Sequence, residues 1–95
     1  MAPVHPGTTL REDFLNPPGL TANRLAMELL VPATRVNDIV RGKRAITADT
    51  ALRLARCFDT SAEYWLNLQS LYDLRMAEGK AGRKIERTVK PLTVA

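Results

Sequence analysis

The side chains in this chain best equipped for chemistry lie between Thr21 and Arg44. Val36, Ile39 and Val40 stand at i, i+3 and i+4, the spacing of one apolar helix face. Thr34, Arg35, Asn37, Asp38 and Arg41 are then left to face outward. Arg can donate two N–H groups to guanine, Asn can bracket adenine, and Thr can offer a hydroxyl or a methyl. Thr21 and Asn23 stand where another helix should begin, and the free N–H groups of a helix start attract phosphate. Lys43 and Arg44 follow the third helix as natural phosphate clamps, and Arg24 and Arg41 complete a phosphate-binding set. Singly, each is an ordinary solvent-facing polar residue. Together they form the chemistry of reading double-stranded DNA: base edges in the middle, backbone on the flanks.

Such a set works only if two short helices hold it. Thr21 caps one, with Ala22, Leu25, Ala26 and Leu29 at helical spacing. The other starts near Pro32 or Ala33, since proline is welcome in a first turn, and runs to Arg41, with Gly42 as its terminal cap. About three residues, Leu30-Val31-Pro32, separate them, as a helix-turn-helix requires. Ala26 is small enough for close helix approach, and Val31, Val36 and Ile39 can fill the angle between the helices.

Three more helices complete an all-α, five-helix reading. The first is capped by Thr8 or Thr9, carries Leu10, Phe14 and Leu15, and is stopped by Pro17-Pro18-Gly19. The fourth is opened by Thr47, with Asp49 in its first turn and Ala51, Leu54, Ala55 and Phe58 inward. The fifth is capped by Ser61 and carries Trp65, Leu66, Leu68, Leu71, Tyr72 and Leu74 to an end near Gly79. Its apolar residues occupy more than one face, whereas a helix on a small domain buries one stripe. The division expected is an extended segment over 1–7, a helix-turn-helix domain over 8–78, and a tail over 79–95 for dimerisation or partner binding. In that tail Ile85, Arg87 and Val89 alternate with Glu86, Thr88 and Lys90. The alternation reads either as a short exchanged strand or as a disordered basic tail.

The chain has 95 residues, 45% of them hydrophobic and 25% charged, which suits one soluble domain with one modest core. No run approaches the roughly 18 apolar residues of a membrane span. No signal segment is visible at the start, and the single cysteine cannot close an internal disulfide, so a reducing, cytoplasmic setting is expected. The net charge is +4 and the isoelectric point about 9.7. Residues 21–44 carry five basic side chains against two acidic ones, and residues 80–90 five against one. Between them, residues 59–79 carry four acidic against one basic. Two positive blocks around an acidic one fit a polyanion partner or a plain solvated surface.

Other reactive residue types give no site. His5, the single histidine, has no ligand cluster at metal spacing, so no metal or other cofactor is expected. Cys57 lies beside the Ala55 and Phe58 face and reads as a core thiol. No grouping supports catalysis. Trp65 and Tyr72 stand two helical turns apart and suit either core packing or a subunit interface. One helix-turn-helix reads about half an operator, so a homodimer is expected. Trp65, Leu68, Tyr72, Ile85 and Val89 are its candidate contacts.

Over residues 5–75 the chain resembles the Cro/C1-type (XRE) helix-turn-helix domain and, more narrowly, the HigA family of antitoxins. The resemblance rests on His5-Pro6-Gly7, Leu10-Arg11-Glu12, Phe14-Leu15, Gly19-Leu20-Thr21, Leu25-Ala26, Val31-Pro32, the run from Ile39 to Ala55, Phe58, Thr60-Ser61, Glu63, Trp65 to Gln69, and Tyr72-Asp73-Leu74. It implies a five-helix dimer that binds palindromic operators in its own promoter and neutralises a HigB-type mRNA interferase toxin. By position it implies base reading by Ala33, Thr34, Arg35, Asn37 and Asp38, and phosphate contacts by Thr21, Asn23, Lys43 and Arg44. Leu30 stands where many such domains have glycine. A leucine at positive φ would be strained, so the second helix is expected to run slightly longer and relax the turn. A stand-alone XRE-type regulator without a toxin and a protein-interaction module of the same fold are the competing readings.

Overall fold

The computed structural model describes residues 2–93. Five helices follow one another without strands among these residues. Helix α1 is α-helical over Pro6–Thr9 and widens to π geometry over Leu10–Leu15; α2 spans Ala22–Leu29, α3 Ala33–Val40, α4 Ala48–Phe58 and α5 Ala62–Thr88. Met1, Val94 and Ala95, and with them the ends of the proposed leading segment and tail, lie outside the described residues.

Three of the expected helix starts form as side-chain caps. Thr21 Oγ1 accepts from Arg24 N, Thr47 Oγ1 from Thr50 N, and Ser61 Oγ from Tyr64 N. Each satisfies one of the N–H groups that a helix start leaves unpaired. The first helix departs from expectation. It begins at Pro6, inside the segment expected to be extended, and its cap is neither Thr8 nor Thr9. His5 Nδ1 accepts from Gly7 N at 2.9 Å, and Pro6 occupies the first turn, where its missing N–H costs nothing. Gly7 then meets α3: a Cβ there would lie 1.8 Å from the carbonyl oxygen of Ile39. His5 also stacks edge-on against Tyr72 of α5, with ring centroids 4.9 Å apart. Burial holds the His5 imidazole below the ordinary histidine range, partly offset by the Asp73 carboxylate. The His-Pro-Gly triplet thus clasps α1, α3 and α5 together.

Leu10, Leu15, Leu25, Ala26, Leu29, Val36, Ile39, Ile46, Ala51, Leu54 and Trp65 form one buried cluster. Burying a Leu- or Ile-sized side chain contributes roughly 1.5–3 kcal/mol, so this cluster dominates the stability. Trp65 is wholly buried, packs against Phe14 at 4.8 Å between centroids, and donates its indole N–H to Thr60 Oγ1. Nothing of its side chain is left for a second subunit, which removes it from the expected dimer contacts. Gln69 takes the other polar role in the core. Its Oε1 accepts from the buried Ile46 N at 2.8 Å while its Nε2 donates to Asp73. Cys57, expected in the core, is exposed. Position 57 falls one residue off the Ala51, Leu54, Phe58 side of α4, and a helix turns about 100° per residue.

The region after Gly79 corrects the tail. Among the described residues no strand follows; α5 continues through Gly79 and Gly82 to Thr88. Two helical glycines cost about 1 kcal/mol each relative to alanine. Met76, Ala77, Lys80, Ala81, Arg83 and Lys84 are good helix formers, and Arg75 pairs with Glu78 along the helix. Ile85 and Arg87, read above as part of an alternation, lie within the helix, and Val89 caps its end, its N–H donating to Ile85 O. The domain boundary expected at residue 78 falls inside this helix. At 27 residues it is roughly 40 Å long and accounts for the 56 Å long axis of the molecule.

Candidate nucleic-acid interface

Helices α2 and α3 form the expected two-helix unit. Leu25, Ala26 and Leu29 of α2 and Val36 and Ile39 of α3 are buried, which fixes how the helices cross. The turn corrects the expectation at Leu30. Helix α2 does not lengthen; it ends at Leu29, and Leu30 takes the left-handed conformation at φ 58° and ψ 45°. Its N–H and that of Val31 close the helix end by donating to Met27 O and Ala26 O. Leucine adopts this conformation at a cost of roughly 1–2 kcal/mol relative to glycine. Its side chain is exposed and adds little in return. At the far end of α3, Gly42 has φ 74°, as a helix-terminating glycine should, and Lys43 N donates to Asp38 O.

The expected base-reading residues divide into two groups. Ala33 and Thr34, at the start of α3, are exposed and make no side-chain hydrogen bond among the described residues. Arg35, Asn37 and Asp38 are partly exposed, and each is held by the protein itself. Arg35 Nη1 donates to Asp49 Oδ2 on α4 at 2.6 Å. Asn37 Nδ2 donates to Asn23 Oδ1 at 2.9 Å and to its own helix at Ala33 O. Asp38 Oδ2 accepts from Arg44 at 3.3 Å.

The expected phosphate-binding residues surround this surface. Thr21 and Asn23 sit exposed at the start of α2; the Thr21 oxygen caps the helix, and its O–H hydrogen stays free to donate. Arg24 is exposed and paired along the helix with Glu28. Arg41 and Lys43 are exposed without an ion-pair partner among the described residues, and Arg44 leans on Asp38. Such exposed pairs are weak and exchange readily for a phosphate. Arg44 also shares a small concavity with Arg35, Ala45, Thr47, Asp49 and Thr50, between α3 and the start of α4.

Sequence reading missed two residues here. Asp49 and Arg53 stand four apart on α4, a spacing that suggests a pair, and Arg53 Nε does donate to Asp49 Oδ2 at 2.9 Å. The missing information was the third dimension. The same carboxylate oxygen holds Arg35, fourteen residues earlier, and Arg53 Nη1 donates to the last carbonyl of α2, Leu29 O, at 2.8 Å. The Arg35 guanidinium above all, then that of Arg53, holds the Asp49 carboxyl below the usual carboxylate range.

Among the described residues no group of His, Cys, Asp and Glu could hold a metal ion. No helix there is long and apolar enough to cross a membrane.

Comparison with known proteins agrees with this geometry. The helix-turn-helix family profile matches residues 12–65. Virulence-associated protein I of Dichelobacter nodosus is 56% identical over 78 residues, covering 82% of this chain and 72% of that protein. Among solved structures, an addiction module antidote protein of the HigA family from Coxiella burnetii is 51% identical. It superposes with a TM-score of 0.93 and covers 97% of this chain and 100% of its own. The antitoxin HigA of Pseudomonas aeruginosa, solved with the higBA promoter, is 49% identical, with a TM-score of 0.93 over 96% of this chain and 99% of its own. A helix-turn-helix profile across more than half the chain, and half-identical structures superposing along nearly all of it, leave one assignment: the chain belongs to the helix-turn-helix family of HigA antitoxins.

Proposed function

We propose that this protein is an operator-binding antitoxin that dimerises, represses its own toxin–antitoxin operon in the cytoplasm and neutralises a HigB-type mRNA interferase. The observation that carries the DNA reading is the exposed start of α3, at Ala33 and Thr34, flanked by Arg35, Asn37 and the cations Arg41, Lys43 and Arg44. Helix α3 enters the major groove with Thr34, Arg35 and Asn37 on base edges, Ala33 offering its methyl group and Asp38 accepting from a base or steering Arg44. Thr21, Asn23, Arg24, Arg41, Lys43 and Arg44 hold the backbone. The Pseudomonas relative solved with its promoter supports this assignment.

The dimer rests on α5. Leu71, Leu74, Ile85 and Val89 are each more than half exposed. With the partly buried Leu68 and Tyr72 they give two copies an apolar surface to share, and two reading helices then meet two half-sites.

The test is binding to the protein's own upstream promoter and to a scrambled duplex, at two salt concentrations. Tight, salt-sensitive binding to the promoter alone is expected. Arg35→Ala should lose about 1–3 kcal/mol of discrimination, whereas Lys43→Ala should weaken all DNA alike. Equal, weak binding to both duplexes would leave only a basic surface and favour a protein-interaction role. Co-purification with the product of an adjacent small reading frame, and loss of that product's RNase activity on mixing, tests the toxin half. Failure of that half alone would leave a stand-alone regulator.

A further inference from the structure

We infer that Asp49 and Arg53 of α4 are specificity-determining positioning residues, which aim the Arg35 guanidinium at a base edge and keep it off the phosphates. The inference rests on the proposed reading role of α3. Three contacts link four residues in a continuous chain across three helices. Leu29 O, at the end of α2, accepts from Arg53 Nη1; Arg53 Nε donates to Asp49 Oδ2; the same oxygen accepts from Arg35 Nη1 on α3. One end of the chain is therefore fixed to the backbone beside the left-handed turn at Leu30, and the other end is the tip of a proposed reading residue.

The chemistry of Arg35 gives this arrangement its consequence. A guanidinium carries five N–H donors in a rigid plane. Asp49 engages one, at Nη1, and leaves the rest of the fork for the paired O6 and N7 acceptors of guanine. The Arg35 side chain is 29% exposed, so that remainder is accessible. An untethered arginine at the same place would swing and pair with any phosphate in reach, which adds affinity without sequence information. The Asp49 carboxylate opposes this twice, by holding the guanidinium and by repelling phosphate. A carboxylate shared by two arginines stays ionised, and its 56% exposed side chain lies at the surface where DNA would approach.

The two effects of Asp49 have opposite signs on the two classes of DNA. Asp49→Asn should bind scrambled duplex more tightly, with a log–log salt slope steeper by roughly 0.9 for one added phosphate contact. Its preference for the promoter should fall at least about fivefold, within the range of one lost bidentate base contact. Arg53→Lys keeps the charge and breaks the anchor. It should lower the preference and raise scrambled-duplex affinity less than Asp49→Asn does, because the carboxylate that repels phosphate remains. In the free protein, ¹⁵N relaxation at Arg35 Nε should show greater mobility in both variants. Asp49→Glu should recover part of the preference. In an Arg35→Ala background, Asp49→Asn should cost no further preference.

Wild-type preference retained in Asp49→Asn while Arg35→Ala loses it would overturn the inference and leave the reading role intact. Equal loss on both duplexes would reduce Asp49 to a support of the fold, which the melting temperature would report independently. No promoter preference in the wild type would remove the reading role and this inference with it.

Discussion

The start of α5 and its longer remainder both carry large apolar side chains, and these have different fates. From Ala62 to Gln69 the helix lies against α1 and α4, burying Trp65 completely and Gln69 almost so. From Ser70 to Thr88 only Tyr72, Ala81 and Gly82 are even partly covered, and Leu71, Leu74, Met76 and Ile85 face water. Both stretches are helical although only the second contains glycines, so propensity does not account for their roles. Cover makes the difference. The first stretch meets a complete core within its own chain, and the second projects beyond it. Stability is therefore concentrated in one stretch and association, on our proposal, in the other.

That division can be broken or sharpened at four positions. The largest effect should come from Trp65→Ala, which empties the centre of the core and should cost about 3–5 kcal/mol in urea or thermal unfolding. A loss that instead vanished on dilution would return Trp65 to the subunit interface. Gly7→Ala should come next. Its methyl would fall on the Ile39 carbonyl, and backbone yields less readily than a side chain, so a loss on the order of 1–3 kcal/mol is expected. Near-wild-type unfolding would mean that α1 can shift on α3 freely.

Leu30→Gly should act with the opposite sign. Relief of the left-handed conformation should raise stability by up to about 1 kcal/mol, less whatever the more flexible unfolded chain takes back. Destabilisation would mean that the exposed leucine side chain has a packing role. The smallest effect on the isolated chain should come from Ile85→Lys, within about 0.5 kcal/mol at concentrations where the protein is monomeric. The same variant should sediment as a monomer where the wild type is dimeric. A stable Ile85→Lys dimer would move the interface away from this end of α5.

Much of this was legible in order along the chain because it depends on near neighbours. The caps at Thr21, Thr47 and Ser61, the terminating Gly42 and the apolar stripe Val36, Ile39, Val40 are each decided within about four residues, the reach of a helical turn. Local pattern misled where two states share one pattern. Ile85-Arg87-Val89 alternates like a strand, yet Ile85 and Arg87 lie within a helix that Val89 caps. Only the continuation of α5 through two glycines separates those readings. The His5 cap went unseen because Thr8 and Thr9 are the stronger local signals. It is chosen by Gly7 having to sit against Ile39.

By itself, then, the sequence determined the helix starts at Thr21, Thr47 and Ser61, the two-helix unit of α2 and α3 and the residue types it presents, since periodicity and capping act over a few residues. Tertiary structure alone decided that Trp65 belongs to the core, that Leu30 bears the strained turn, and that Arg35 is held by Asp49 and Arg53. Trp65 packs on Phe14 from the other end of the domain, and the Arg35–Asp49 and Arg53–Leu29 contacts join residues 14 and 24 apart, so the free energy of each contact is set by where the helices cross. No local pattern along the chain records that crossing.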